Sequence, residues 1–262
     1  MAQLASGEFY GAASGKLEVR DAVLSRLEHT SGRRLPTHTH ERAYYALLLA
    51  GGYRERDRTV SFESAPATLI FHPPETTHAD EIAPEGGVFF VIQLGDSWLG
   101  RNRNERIRER PELAGAALAL YRAYRHGVAP HMEVEERLWT LAGDLTAHER
   151  GAPAWLDRVV ERLHGELAEP HTVAALAAEA NVHPVHLERT FRARFGMTAG
   201  EYLHRLRLAF VARELARGCT LSDVALAAGF ADQSHMGRVC RAITGGTPRE
   251  WQRVLRGELL SC

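Results

Sequence analysis

The sequence predicts an α+β fold of two domains: an N-terminal antiparallel β-barrel with linker helices, then an all-α domain with two helix-turn-helix units. Three observations predict it: short apolar runs separated by turn residues as far as Leu94, helical spacing of apolar residues after Asp96, and an internal repeat in the last third. A length of 262 residues suits two modest domains. We expect a barrel domain at 1–110, a helical linker at 111–152 and the all-α domain at 153–262.

The region from about Leu17 to Leu94 is predicted to form short strands. Its apolar runs are four to six residues long, and turn residues such as Gly51-Gly52 and Pro73-Pro74 close them. Short strands at roughly ten-residue spacing, with turn signals between them, are typical of an antiparallel barrel or sandwich. The runs lie at 44–49, 59–62, 68–71 and 88–92.

Two amphipathic helices are predicted at 112–126 and 132–149, where apolar residues recur every three or four positions. Two interpretations of these helices stay open. They could form a dimer contact or couple the domains, or they could simply pack onto the barrel. Gly151-Ala152-Pro153 interrupts the helical pattern and is the predicted domain boundary.

The last third of the chain contains a repeat. Residues 189–202 (RTFRARFGMTAGEY) and 238–251 (RVCRAITGGTPREW), which are 49 positions apart, share six of fourteen residues in register. In each copy a glycine, Gly196 or Gly245, is placed to end a helix. In each copy a threonine three residues before a glutamate forms a capping box that starts the next helix. Because the glycines that end helices and the capping boxes that start them recur at the same positions, the sequence predicts two copies of one supersecondary unit.

A second matched pattern lies upstream of each copy. A threonine, Thr172 or Thr220, precedes a short Ala-rich helix, a tight turn and a second helix that starts near His183 or Asp232. This order describes a helix-turn-helix. A small residue, Ala177 or Ala225, stands where two helices must cross closely.

The charge is distributed unevenly along the chain. Residues 1–152 carry 18 Lys and Arg against 21 Asp and Glu, whereas residues 181–256 carry 12 Arg against 6 acidic residues, a net charge of +6. A basic C-terminal region on a chain whose overall charge is −1 indicates a polyanionic partner. Three dispersed cysteines, no apolar run of ~18 residues and no signal-peptide pattern after Met1 predict a cytoplasmic protein without a membrane partner.

The matched motifs resemble those of the AraC/XylS family of bacterial regulators. The resemblance covers about 165–256 and is most diagnostic in the run Gly229-Phe230-Ala231-Asp232-Gln233-Ser234-His235, with Thr247-Pro248 and Trp251 after it. It implies a seven-helix DNA-binding domain in which one long helix, about 199–217, joins the two helix-turn-helix units. The recognition helices are then expected to enter successive turns of the major groove.

The chain departs from the family pattern in the second recognition helix. Where the family usually has Phe-Ser-Arg-x-Phe, this chain has Met236-Gly237-Arg238-Val239-Cys240. Met236 suits the same gap in the core, but Cys240 fills less space than phenylalanine. A glycine costs ~1 kcal/mol inside a helix, so we expect weaker DNA binding by the second unit than by the first.

The family resemblance places Val185, Glu188 and Arg189 against base edges. Arginine can bind guanine with two hydrogen bonds, glutamate can accept from cytosine and glutamine suits adenine. The alternative is that most of these arginines contact phosphates or solvent, which is the expectation for Arg192 and Arg241. The predicted DNA-binding residues are Val185, Glu188, Arg189, Arg192, Gln233, Ser234, His235, Arg238 and Arg241.

The segments 38–41 (HTHE) and 73–78 (PPETTH) resemble the two sequence motifs of cupin barrels. That resemblance implies a cupin-like effector-sensing domain, with a tentative effector pocket at His38, His40, Tyr44 and His78. In metal-binding cupins, histidines at these places and a glutamate hold the metal, but Tyr44 or Tyr45 stands here where that glutamate is expected. Three interpretations stay open: a metal-free ligand pocket, structural histidines, or a metal site at His38, His40 and His78. We expect no metal or cofactor. His72 is the weakest candidate among the histidines, since a lone histidine at a strand end usually lies at the surface or in the core.

The function predicted from these features is a sequence-specific transcription regulator that responds to a small-molecule effector. Its expected partners are double-stranded DNA, the effector, possibly a second copy of the chain, and RNA polymerase if it activates. The alternative is a cupin metalloenzyme with a DNA-binding tail, which needs about one bound metal per chain. Repair of alkylated DNA needs N-terminal cysteines, and none precedes Cys219. No phosphate-binding loop or nucleophile motif is found, so we expect no enzymatic activity.

Overall fold

A computed structural model of the chain describes residues 2–30, 32–56, 61–99, 107–126, 131–146 and 153–256. It confirms the predicted α+β fold of two domains, with a cupin-like curled sheet first and helices after it. The strands are β1 (Ala2–Leu4), β2 (Ala12–Val19), β3 (Ala22–His29), β4 (His38–His40), β5 (Ala43–Arg56), β6 (Ser61–Ser64), β7 (Leu69–His72), β8 (Thr77–Leu94) and β9 (Arg108–Glu109).

Two long strands, β5 and β8, form the backbone of a half-barrel. The sheet order is β1-β4-β8-β5-β7-β9, with β3 joining β2 to the second half of β8 and β6 pairing with the end of β5. All these pairs are antiparallel except the one between β1 and β4. Because β5 and β8 change partners along their length, with register shifts near Gly51, the sheet curls around a concave face.

The alternation of side chains along β5 shows how the sheet is buried. Tyr44 and Leu48 face the concave interior, where they pack with residues such as Phe89. Tyr45 and Leu47 face the opposite side and belong to a core built with helices. The sheet is therefore covered on both faces, by its own curled interior and by helices.

The helices follow in an order close to the prediction. The first two long ones pack against each other, and α2 also packs against α7 and touches β5 and β7. The helices are α1 (Asp96–Leu99), α2 (Pro111–His126), α3 (His131–Thr146), α4 (Ala154–Gly165), α5 (Val173–Glu179), α6 (Pro184–Phe195), α7 (Ala199–Ala216), α8 (Leu221–Ala227), α9 (Gln233–Thr244) and α10 (Pro248–Leu255). No helix within the described ranges is long and apolar enough to cross a bilayer.

The buried hydrophobic residues of the described ranges form three cores. One core is the concave interior of the half-barrel. A second runs from the convex face of the sheet through α2 and α3 to the second half of α7, α8, α9 and α10. The third joins α4, α5 and α6 to the first half of α7. The helix α7 is thus buried along its whole length, because its two halves belong to different cores.

The structure can be compared with the predicted elements directly. The apolar runs at 44–49, 68–71 and 88–92 fall on or beside β5, β7 and β8, and β6 begins at Ser61 while residues 59–60 lie outside the described part. The predicted end of the second amphipathic helix, 147–149, also lies outside it, as do Gly151 and Ala152. The domain boundaries at 110 and 152 stay predictions.

Candidate nucleic-acid interface and barrel interior

The two predicted helix-turn-helix units have the same local geometry. Each first helix, α5 or α8, begins at a threonine whose hydroxyl accepts a hydrogen bond from the backbone NH three residues on, at 3.1 Å for Thr172 and 3.2 Å for Thr220. In each turn one residue adopts a left-handed conformation, Asn181 with φ 54° and Gly229 with φ 77°. The backbone NH of the next residue bonds back into the first helix at 2.9 Å in both units.

The recognition helices α6 and α9 also begin and end alike. His183 Nδ1 and Asp232 Oδ1 accept the first free backbone NH groups, and Gly196 and Gly245 end the helices with φ of 68° and 70°. Both following helices start with a complete capping box, made by Thr198 with Glu201 and by Thr247 with Glu250. The predicted repeat is confirmed at the level of its hydrogen bonds.

The inward faces of the recognition helices hold them to their cores. Leu187 and Phe191 are buried in the first unit, and Met236 and Cys240 are buried in the second. Burial raises the pKa of the Cys240 thiol to about 12, so this cysteine packs as a small apolar residue that stays protonated. The expected placement of Met236 in the core is confirmed.

The outward face of α6 carries the side chains predicted to reach DNA. Val185 is 69% exposed, an unusual exposure for a valine, and Arg189 and Arg192 are exposed as well. Glu188 is half-buried, with a carboxylate oxygen 3.8 Å from the Arg192 guanidinium. Arg189 donates to His186 Nδ1 at 3.1 Å, which turns its guanidinium toward the start of the helix.

The outward face of α9 is similar, with one exception. Gln233, Ser234, Arg238 and Arg241 are exposed. His235 is half-buried; its ring lies edge-on to Phe230 with 5.5 Å between centroids, and its Nδ1 accepts from the Ala231 backbone NH at 3.4 Å. His235 therefore stabilises the turn in front of its own helix, and its contact with DNA stays a prediction.

The half-barrel interior brings together the residues predicted for an effector pocket. His38, His40 and His78 are buried and their rings lie 4.3–5.5 Å apart between centroids. The register of β4 with β8 pairs His38 directly with His78. The hydroxyl of Tyr44 lies 3.2 Å from His78 Nε2, whereas Tyr45 points to the convex side and donates to the Leu141 carbonyl.

Sequence reasoning missed Glu55 and His72, which complete this interior. Both are fully buried, and His72 Nε2 lies 2.9 Å from Glu55 Oε2. The Tyr44 ring stacks on His72 with 4.1 Å between centroids. An alternation along β5 could have indicated Glu55, since Tyr53 and Glu55 continue one face of that strand. His72, the weakest candidate among the histidines in the sequence, is thus a buried member of the cluster.

Burial sets the protonation of this cluster. Burial, with the neighbouring imidazoles, lowers the pKa of His40 to about 2 and that of His78 to about 3, so both rings are uncharged at neutral pH. Burial raises the pKa of Asp80, and the charge of Glu55 raises it further. Burial alone would also raise the pKa of Glu55, but the charge and hydrogen bond of His72 hold it low.

Two aromatic residues near the N-terminus cover the interior. The Phe9 ring lies 4.7 Å from that of His40 and 5.2 Å from that of Tyr44, and the Tyr10 ring lies 5.0 Å from that of His38. The cavity beneath them is lined by His38, His40 and Tyr44 among others and has a free volume of about 40 Å³. Pockets for organic ligands typically have roughly 300–1,000 Å³, so in this conformation the interior has room for an ion or a few water molecules.

The residues that the cupin resemblance suggests for a metal fit one by geometry. One ligand atom from each of His38, His40 and His78 lies within 4.8 Å of the others, and a second such group is formed by Glu55, His72 and His78. The carboxylate of this interior, Glu55, lies farther along the same strand as Tyr44 and belongs to the second group, not to the three-histidine group.

Helix α2 links the half-barrel to the second helix-turn-helix unit. A side chain at Gly115 would come within 3.2 Å of Thr244 and Trp251, so α2 approaches the second unit closely. Arg122 forms an ion pair with Glu250 and donates to the Gly245 carbonyl at 3.2 Å. Of the two interpretations of the linker helices, packing onto the barrel is therefore observed for α2, together with contact to the DNA-binding region.

Comparison with known proteins gives one family and several distant structures. Residues 176–254 match a family model described as a helix-turn-helix domain. The transcriptional activator RhaR of Escherichia coli K12 is 30% identical over 100 residues, which are 38% of this chain and 36% of RhaR. The chain thus spans about a third of the length of the curated relatives it matches.

The similar solved structures are remote. ToxT from Vibrio cholerae is 12% identical with a TM-score of 0.40, covering 91% of this chain and all of that one. The AraC-like activator CuxR has the same identity and TM-score over 74% of this chain and 78% of its own. A cupin superfamily protein from Desulfitobacterium hafniense is 14% identical with a TM-score of 0.30, over 32% of this chain and 77% of that one. Scores this low carry no argument about ligand or activity.

The assignment of the C-terminal region rests on the repeat, its caps and the family match together. The match at 176–254 spans both units, from the end of α5 to α10. The motifs of the family resemblance, including residues 229–251, lie within this match. Each copy has the short first helix with a threonine cap that a helix-turn-helix of this kind requires. Residues 176–254 therefore match the helix-turn-helix family and contain two helix-turn-helix units.

Proposed function

We propose that this protein is a sequence-specific DNA-binding transcription regulator whose half-barrel senses a small effector. The observation that carries the proposal is the pair of identically capped recognition helices, each with exposed arginines on its outward face. An apolar inward face fixes each helix in its unit, so the outward side chains are free to reach base edges. The net charge of +6 over residues 181–256 supports attraction to the phosphate backbone.

The first recognition helix has the clearer reading face. Val185 offers an apolar contact to a thymine methyl group, and Arg189 offers two donors to guanine. Glu188 is half-buried beside Arg192, which supports a role in orienting the arginine as much as a contact to cytosine. On the second helix, Gln233 suits adenine and Arg238 suits guanine. Arg241 suits a phosphate.

The packing of the second unit supports a mechanism by which an effector regulates DNA binding. Its core is continuous with the convex face of the half-barrel through α2, so a change in the curvature of the sheet acts on Trp251 and Glu250. The first unit has a separate core. We propose that effector binding alters chiefly how the second recognition helix is held.

The proposed function is tested by selecting fragments bound by the full chain from random duplex DNA at physiological salt. Enrichment of one motif with two parts, about one helical turn apart, is expected. Recovery of fragments with no common sequence, with and without candidate effectors, would contradict the proposal. The salt dependence of the affinity separates phosphate contacts from base contacts.

Arg189→Ala sharpens this test. The variant should lose about 1–3 kcal/mol of binding on one base pair of the selected site and bind variants of that base pair almost equally. Arg158→Ala is the matched control, since Arg158 is an exposed arginine of α4 outside both recognition helices. A uniform loss on all sequences would assign Arg189 to a phosphate instead.

The finer parts of the function stay proposals. The name of RhaR, a transcriptional activator, supports activation, and hence contact with RNA polymerase. A homodimer, a cytoplasmic location and the lack of enzymatic activity are proposed on the same footing, and light scattering of the purified chain tests the first. The matched relatives are regulators, which favours this function over a cupin metalloenzyme with a DNA-binding tail.

A further inference from the structure

The half-barrel interior contains a second group of metal-type ligands that the cupin motifs do not include. Glu55 lies on β5, His72 on β7 and His78 on β8, and all three side chains are buried. The pairing of β5 with both neighbours places the three strands side by side. One ligand atom from each residue lies within 4.8 Å of the other two.

The distances within this group suit a small cation. His72 Nε2 lies 3.0 and 2.9 Å from the two oxygens of Glu55, and His78 Nδ1 lies 3.9 Å from Glu55 Oε1. Ligand atoms around a tetrahedral ion with bonds of about 2.0–2.1 Å are separated by roughly 3.3 Å. Around the ion, His78 Nδ1 would therefore move closer to Glu55, and His72 Nε2 would move slightly farther from it.

His78 Nδ1 has no hydrogen-bond partner among the described residues, although it is buried. A buried polar atom without a partner is costly, and this one faces the Glu55 carboxylate. The opposite nitrogen of the same ring, Nε2, lies 3.2 Å from the Tyr44 hydroxyl and 3.7 Å from Asp80 Oδ2. A histidine ligand normally donates its other NH to a carboxylate or another oxygen, and His78 has such acceptors behind it.

Two tyrosines hold the other ligands in place. The Tyr53 hydroxyl donates to Glu55 Oε2 at 2.8 Å, and the Tyr44 ring stacks on His72. Ligands that are held before the ion arrives lose little freedom when it binds. The ion would replace the hydrogen bond between His72 Nε2 and the Glu55 carboxylate.

Charge favours this group over the one formed by His38, His40 and His78. That group contains no carboxylate, whereas Glu55 supplies one to the group with His72 and His78. A buried divalent cation needs compensating negative charge, which a carboxylate ligand provides.

We infer that Glu55, His72 and His78 bind one divalent transition-metal ion of the zinc or cobalt type inside the half-barrel. Nitrogen and carboxylate ligands in this number are typical of such ions. The position of the ion, on the sheet that shares a core with the second helix-turn-helix unit, makes it a candidate effector. That regulatory part rests on the proposed DNA-binding function, while the binding site itself does not.

The site is tested with the purified full chain, stripped of metal by a chelator and titrated with Zn²⁺ or Co²⁺. We expect one ion per chain, visible absorption bands from bound Co²⁺ and a higher melting temperature with the ion. Absence of binding by the wild-type chain would overturn the inference. Glu55→Gln and His72→Gln should each weaken binding by more than about 100-fold, and Tyr53→Phe, which removes a positioning group, by about 10-fold.

Two further variants decide between the groups. His40→Gln removes a ligand of the group related to the cupin motifs and should leave one ion bound, with the Co²⁺ spectrum unchanged. His29→Gln removes an imidazole that lines the same cavity outside both groups and serves as the matched control. If His40→Gln abolishes binding while His72→Gln does not, the ion belongs to the other group and the inference is wrong. The circular dichroism of each variant shows that it is folded.

The DNA readout separates the two proposals. Sequence-specific binding that changes at least several-fold on addition of Zn²⁺ in the wild type, and not in His72→Gln, supports the ion as effector. Specific binding by a chain that takes up no metal refutes the metal site and leaves the proposed function intact. Metal uptake by a chain that selects no DNA sequence supports the metal site and contradicts the proposed function.

Discussion

The two helix-turn-helix units have the same caps and turns, yet they are supported in different ways. The first unit closes its own core with α4 and the first half of α7. The second has no such core of its own; its helices complete a core that continues through α2 and α3 into the convex face of the sheet. The two units are therefore supported asymmetrically. The first unit packs around its own core, whereas the second packs on a core that it shares with the sheet.

The turns show the same asymmetry at a single position. Asn181 and Gly229 both adopt left-handed backbone conformations, but Asn181 is exposed. A Cβ at Gly229 would lie 2.4 Å from the Ala168 carbonyl oxygen. Ala168 is in the segment after α4, which Arg207 of α7 also holds by donating to the Leu167 and Glu169 carbonyls at 2.9 Å. The second turn thus needs glycine for space as well as for conformation, whereas the first needs only tolerance of positive φ.

The largest expected effect is at this pair of turns. Gly229→Asn places a side chain against backbone and should lower the free energy of unfolding by about 3 kcal/mol or more. Asn181→Gly, the matched change in the first unit, should alter it by less than about 1 kcal/mol. Urea denaturation followed by circular dichroism measures both. Equal losses in the two variants would show that the units are supported alike.

The next effect concerns the contact between α2 and the second unit. Gly115→Val should push against Thr244 and Trp251, which a Cβ already approaches within 3.2 Å, at a cost of about 1–3 kcal/mol. Footprinting should show weaker protection of the half-site read by α9, with little change in the half-site read by α6. Gly165→Ala is the control, since nothing lies within 4 Å of a Cβ there. Equal weakening of both half-sites would contradict the separate cores.

The smallest effect is on α9 itself. Gly237 lies inside this helix with nothing within 4 Å of an added Cβ, while Glu188 fills the matched position in α6. Gly237→Ala should therefore raise the free energy of unfolding by up to about 1 kcal/mol, as a shift in the urea midpoint. The preferred DNA sequence should stay the same, and a changed preference would show that this position contacts a base.

The helical domain could be predicted closely from the sequence because its signals are local. Thr198 with Glu201, Thr247 with Glu250, and Gly196 are each read from neighbours within a few residues, and each behaves in the structure as predicted. The inward Met236 follows from helical periodicity in the same way. The strands at 44–49 and 88–92 were also evident, because apolar runs closed by glycine are local as well.

The interior cluster could be predicted only in part, because it depends on register between distant strands. The two cupin-like motifs gave His38, His40 and His78. The register of β5 with β7 places Tyr44 opposite His72, so Glu55 meets His72 only across the curled interior. Nothing near either residue in the sequence indicates that contact. The position of the His235 ring against Phe230 depends in a similar way on packing around the turn.

The way in which Phe9 and Tyr10 cover the interior has a kinetic consequence. The segment is anchored by β1, which pairs with β4 over only three residues, two of which are His38 and His40. A ligand that enters past Phe9 and Tyr10 must displace them, so on this route the opening of the segment would limit the rate of loading. A ligand bound in the half-barrel should then change the rate at which a protease cleaves the peptide bonds near Gly7.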